Sequence, residues 1–192
     1  DVIAFILAQS RGALVGLAVG ILAFVAYVGL FSPSRKTKAT VFGGLLALML
    51  GYGALFALRD VPIIATSPLA RLTNFNETIS TRLIAWDIAW KGFLERPITG
   101  WGFDNFHIIF NSHFNPQSLR FGEYETWFDR AHNTVMDVLS MTGLLGFITF
   151  FGIYVAIFIS TWRAYKKKWI DLPLAAILFS LPIAYFVQNL FV

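Results

Sequence analysis

Three short stretches of this chain carry side chains suited to holding an anion or moving a proton. The first is Ser10-Arg11-Gly12, immediately before an uncharged run that extends to Pro33. Ser10 is a good N-cap, so the helix that follows would present its free N–H groups and positive dipole end. Arg11 adds a fork-shaped cation to that end, a combination suited to phosphate oxygens. The second is Arg82, followed by Pro97-Ile98-Thr99-Gly100-Trp101-Gly102-Phe103-Asp104-Asn105-Phe106. The Gly-x-Gly here has no preceding strand, so it reads as a tight turn that lets the backbone pass close to another element. The third is Asp129-Arg130-Ala131-His132-Asn133. Asn133 can cap the apolar run that follows, which puts His132 at a second helix N-terminus. The positive end of a helix disfavours imidazolium and keeps a His able to accept a proton. Asp129 and Arg130 could pair locally and orient it.

Each residue also has a plainer reading. Arg11 could be an anchor that snorkels to the membrane surface, Arg82 a solvated surface residue, and His132 a member of a polar belt. Metal chemistry has little support: there is no Cys, and His107 and His113 lie without acids at ligand spacing around them. No metal or cofactor is expected.

The elements that position these residues are membrane spans. The chain is 57% hydrophobic and only 14% charged, and its apolar residues gather in runs near the roughly 20 residues that cross a bilayer. Spans are expected at about 12–31, 39–58, 134–161 and 172–192. The fold class is therefore all-α, a polytopic integral membrane protein. Both ends fall in apolar stretches, so the chain reads as an excerpt of a longer protein.

The net charge of +4 suggests nucleic acid, but its distribution rejects that partner. Seven of the fifteen basic residues form two clusters beside apolar runs: Arg35, Lys36 and Lys38, then Arg163, Lys166, Lys167 and Lys168. Such clusters mark cytoplasmic connections, here 32–38 and 162–171. Between Arg59 and Arg130 the chain is nearly neutral, with seven basic and eight acidic residues. The 59–131 loop and the Ser10–Arg11 turn then lie on the outer side.

That loop is rich in Trp and Phe. A helix is expected from Thr81 to Glu95, capped by Ser80 and ending before Pro97. Leu83, Trp86, Trp90, Phe93 and Leu94 recur at helical spacing, as in a helix lying in the headgroup zone. Asn76-Glu77-Thr78 matches a glycosylation sequon, a weak signal by itself.

Taken in order, these elements resemble the O-antigen ligase and polymerase superfamily of bacterial envelope glycosyltransferases. The resemblance rests on Gln9-Ser10-Arg11-Gly12-Ala13 opening a span, and on Arg82 with Trp86 and the Pro97/Gly100/Gly102/Asn105-Phe106 series. It closes with Ala131-His132-Asn133 and Thr142-Gly143-Leu144-Leu145-Gly146. It implies a GT-C-like helical bundle in the bacterial inner membrane with its site facing outward. It further implies transfer of a glycan from undecaprenyl diphosphate to an acceptor hydroxyl without metal or nucleotide sugar. By this resemblance His132 is the general base, and Arg11 and Arg82 hold the departing pyrophosphate.

The acceptor stays open: lipid A–core for a ligase, a lipid-linked repeat for a polymerase, or Ser or Thr for a protein oligosaccharyltransferase. A transporter or flippase is the alternative from another class. Such proteins carry charges near the bilayer midplane, whereas here the spans are clean of charge in their middles. A structural anchor would make His132 replaceable.

Overall fold

The computed structural model describes residues 11–66, 76–121 and 127–190, with the backbone alone for residues 11 and 76–80. Every regular element among the described residues is helical. In order they are α1 (Arg11–Phe31), α2 (Arg35–Ala57), the short α3 (Pro62–Ala65), α4 (Asn76–Glu95), α5 (Phe106–Ser112), a 3-10 helix (Pro116–Phe121), α6 (Thr134–Lys166) and α7 (Leu172–Asn189). Four of them, α1, α2, α6 and α7, are long and apolar enough to cross a membrane. The fold is thus a polytopic helical membrane protein.

Helix starts follow local chemistry. Ser34 Oγ accepts from the Thr37 N–H at 3.2 Å, so α2 begins at Arg35 rather than near 39 and its basic cluster forms its first turn. Asp171 Oδ1 accepts from Leu174 N–H at 3.0 Å, with a proline in the first turn of α7, a position where the missing N–H costs nothing. At the other end of α6, Arg163 and Lys166 extend the helix five residues beyond the expected 161.

α1 and α7 form an antiparallel pair. Moving up α1, Gly16 meets Ala184 and Gln188, Gly20 meets Ala184, and Tyr27 joins Ala175 and Ala176. A Cβ on Gly20 would stand 2.6 Å from Ala184 Cβ. Small residues thus let the two backbones approach closely, which is how helices gain van der Waals contact in a bilayer. α2 lies along α1 through Val41 against Gly29 and buries no residue of its own.

The segment between α2 and α6 builds a second core from Ile84, Ile88, Phe106, Ile109, Phe110 and Phe128, closed by Ala131 and Met141. Here one expectation is corrected. α4 starts at Asn76, a turn before Thr81, and Ser80 lies inside it rather than capping it. No Gly or Pro occurs between 76 and 80, and an interior Ser costs only about 0.5 kcal/mol, too little to stop propagation. The row that packs is Ile84, Ala85, Ile88 and Ala89, while Leu83, Trp90 and Leu94 stay exposed. Trp86 is partly buried against this same core.

α6 is not continuous. Gly143 has φ 64° and ψ −164°, which breaks the helix near its His132 end. Leu144 and Leu145 N–H donate to the carbonyls of Pro97 and Ile98 at 2.8 and 3.2 Å. In return the Ser140 and Met141 carbonyls accept from Trp101 and Gly102 N–H at 3.1 and 2.8 Å. The 97–102 loop thereby satisfies four backbone groups at the break. Irregular backbone inside a span is tolerated where protein buries it in this way.

Candidate functional site

The site is assembled around one turn, Ala131-His132-Asn133, at the head of α6. Asn133 Oδ1 accepts from Val135 and Met136 N–H at 3.0 and 3.3 Å, so Asn133 is the N-cap. His132 lies just outside the helix in the left-handed region, with φ 54°, and its ring stands edge-on to Phe128 at 5.7 Å. His is among the residues that enter this region more readily than most.

The peptide groups of Ala131 fix the turn from two sides. Its N–H donates to Asp137 Oδ1 at 2.7 Å, and its carbonyl accepts from Trp86 Nε1 at 3.0 Å. Ala131 is fully buried, so each bond satisfies a group that water cannot reach. Asp137 is in the first turn of α6, where an acid complements the helix dipole, and Arg130 and His132 lie within its electrostatic reach. Asp137 is the residue the sequence reading passed over. Its signal was present: a single acid in an uncharged run, four residues after the capping Asn133.

The expected Asp129–Arg130 pair does not form. Arg130 Nη2 instead reaches Asp104 Oδ1 at 3.5 Å. Asp104 holds φ 63°, just beyond the 97–102 loop. Both side chains are exposed, so the pair stabilises by at most about 1 kcal/mol.

Arg82 lies one helical turn before Trp86 on α4, hence on the same face as the indole that grips Ala131. Partial burial pushes its guanidinium below the ordinary value, yet an arginine so shifted remains charged at neutral pH. Ser10 lies outside the described residues, and for Arg11 the backbone alone is described, at the first position of α1. That end of α1 sits beside the His132 turn: Gly16 packs against Gln188, and the next residue of α7, Asn189, accepts from Thr134 Oγ1 at 2.9 Å. Two long-helix N-termini and the Arg82 face of α4 therefore share one end of the molecule. The basic clusters occupy the other end, beside an apolar cavity of about 500 Å³ lined by Tyr27, Phe31, Phe158 and Trp162.

Gly100 and Gly102, with φ 67° and 97°, are the tight turn expected of the Gly-x-Gly. A Cβ on Gly100 would overlap the Met141 carbonyl, and one on Gly143 would overlap that of Ile98. Among the described residues, no three His, Asp or Glu side chains come together as a metal site; His113 Nε2 lies 3.1 Å from Glu95 Oε1.

This order of elements is matched by a family model described as O-antigen ligase, over residues 1–151. The chain belongs to the O-antigen ligase family. The match takes in α1, the Arg82 helix, the inserted loop, the His132 turn and the break at Gly143. Membership implies glycan transfer from a lipid-linked donor to a glycan acceptor, as in lipopolysaccharide biosynthesis. No curated protein matches the chain.

Proposed function

We propose that this chain carries the catalytic end of a transferase that moves a glycan from undecaprenyl diphosphate to an acceptor hydroxyl at the outer face of the bacterial inner membrane. The observation that carries this reading is the fixed His132 turn, which stands at the same end as the α1 N-terminus and Arg82. The orientation rests on the basic clusters at the opposite end, which favour the cytoplasm.

In this mechanism His132 accepts the proton of the acceptor hydroxyl. The oxygen attacks the anomeric carbon, and the bond from that carbon to the carrier's phosphate oxygen breaks with its electron pair leaving on the pyrophosphate. Attack opposite the leaving group inverts the anomeric centre. Arg11 and Arg82 neutralise the pyrophosphate, with the N–H groups at the two helix ends adding fixed positive charge. Each charge-assisted bond contributes about 1.5–3 kcal/mol, which supports departure of the diphosphate without a metal ion. Asn133, Asp129, Arg130 and Ser10 play supporting parts: Asn133 through the cap, Arg130 through Asp104, and Ser10 and Asp129 by sequence position alone.

A transporter reading gains nothing from the broken α6. Transporter helices break to expose backbone groups to an ion or substrate, and here the 97–102 loop already occupies four backbone groups at the break.

The test is reconstitution of the full-length protein with lipid-linked glycan and three acceptors: lipid A–core, a second lipid-linked repeat, and a Ser/Thr peptide. Transfer to one of them, lost in His132→Ala and unaffected by a chelator, is expected. Translocation of the lipid without transfer to any acceptor would overturn the reading.

A further inference from the structure

A groove of about 440 Å³ runs between α4 and the segment 115–121, and the mechanism above makes no use of it. Its volume falls within the range of ligand clefts, about 300–1,000 Å³. Leu83 and Phe121 supply apolar surface, and Asp87, Asn115, Gln117 and Arg120 supply polar groups. We propose that this groove is a saccharide subsite; the inference rests on the glycosyltransferase reading and extends it to where the sugar chain is held.

The chemistry of the lining selects the ligand class. A sugar ring offers an apolar C–H face and a rim of hydroxyls, each both donor and acceptor. Asn and Gln amides carry both functions, Asp accepts only and Arg donates only, so the four together suit mixed hydroxyl partners. A phosphate would meet the Asp87 carboxylate, and a purely apolar ligand would make no use of the four polar side chains. The groove is also partly set in place. Asn115 Oδ1 accepts from Gln117 N–H at 3.0 Å, which fixes the amide's orientation while the oxygen keeps a second lone pair and the N–H₂ its donors. Asp87 is steadied by Lys91 Nζ at 2.6 Å.

Position ties the groove to the reaction. Leu83 and Asp87 each follow by one residue the pair Arg82 and Trp86, about 100° further round the same helix. One face of α4 thus addresses the His132 turn, and the adjacent face lines the groove. A glycan whose pyrophosphate is held at Arg82 has its sugar chain beside Leu83 and Phe121; an acceptor glycan approaching His132 would meet the same surface.

Gln117 and Arg120 are exposed and Asn115 is half-buried, so the test uses the double variant Gln117→Ala/Arg120→Ala, which leaves the core intact. Asn115→Asp is added because it keeps the Oδ1 acceptor and removes the amide donor. The first measurement is saturation-transfer NMR on full-length protein, with the repeat-unit oligosaccharide released from its carrier by mild acid as probe. Binding to wild type and its loss in the variants is expected. The second is transfer kinetics: KM for one glycan substrate rises about tenfold in the double variant and about threefold in Asn115→Asp, with kcat retained. A rise in the donor KM assigns the groove to the donor glycan, and a rise in the acceptor KM to the acceptor. No oligosaccharide signal with wild type, or variants matching wild type in binding and in both KM values, overturns the proposal. Wild type that binds oligosaccharide but transfers nothing would instead remove the ligase reading and leave the groove standing.

Discussion

The Trp86 indole donates to the Ala131 carbonyl at 3.0 Å across 45 positions of sequence, joining α4 to the residue before His132. The Ala131 N–H is held in turn by Asp137 at 2.7 Å. A buried peptide bound at both ends leaves the His132 backbone little freedom, which is what a positioned base needs, since small misplacements of reacting groups are costly in rate. Trp86→Phe keeps an aromatic ring but removes the donor and part of the indole's packing. It is expected to cost about 1–3 kcal/mol, the penalty of an unsatisfied buried carbonyl, and to lower transfer while substrate KM stays near wild type. Thermal unfolding in detergent and steady-state transfer check both parts.

Asp137 separates geometry from charge. Asp137→Asn can still accept the Ala131 N–H and is expected to keep most of the fold, whereas Asp137→Leu loses the acceptor and is expected to destabilise by about 1–3 kcal/mol. If the carboxylate acts on His132 only by fixing the turn, Asn restores transfer close to wild type and Leu does not. Equal loss in both would mean that the charge itself is needed. Comparing kcat for the two variants with their unfolding midpoints decides.

The joint between Gly143 and the 97–102 loop admits no side chain. Gly143→Ala places a Cβ against the Ile98 carbonyl at a φ of 64°, where strain alone costs on the order of 1–3 kcal/mol. Gly100→Ala meets the Met141 carbonyl in the same way. Each is expected to lower the yield of folded protein and its unfolding midpoint, whereas Gly152→Ala, which meets open space, is expected to leave both unchanged.

What the sequence disclosed depended on the range of the cause. The spans and the Asn133 cap were legible because apolar runs and capping chemistry are local. So was the tight turn at Gly100 and Gly102, though not its destination. The insertion into α6 is a pairing between segments some forty residues apart, and nothing in Thr142-Gly143-Leu144 alone says which backbone fills the gap. Which row of α4 packs inside the protein was not legible for a related reason. Leu83, Trp90 and Leu94 recur at helical spacing as Ile84, Ile88 and Ala89 do, and only the tertiary placement of α5 and α6 selects the second row for burial. Arg130 likewise chose Asp104 over its neighbour Asp129 because the loop carrying Asp104 is brought to it by the tertiary fold.

Arg82 is a partly buried cation. Burial lowers its pKa, which means that the folded state disfavours the charged form relative to water. Arg82→Met removes that desolvation cost while keeping an unbranched side chain, so the unfolding midpoint is expected to stay level or rise as transfer falls, the trade between stability and activity found at functional sites. Arg82→Lys keeps the charge but not the bidentate fork and is expected to be impaired as well. A parallel Arg11→Lys variant tests the second cation; wild-type transfer there would assign Arg11 to membrane anchoring.

His132 requires a control that its backbone dictates. At φ 54° an alanine would add strain of its own, about 1–2 kcal/mol in the left-handed region, so a loss of transfer in His132→Ala could reflect a moved turn. Asn tolerates that region better and offers a polar side chain of similar reach, but it cannot accept a proton near neutral pH. His132→Asn is therefore expected to keep the wild-type unfolding midpoint and to lose transfer by about 10²–10⁴-fold, the usual contribution of a general base. Transfer near the wild-type rate in a stable His132→Asn protein would exclude the imidazole as the base and leave the cap and the helix dipole as this turn's contribution.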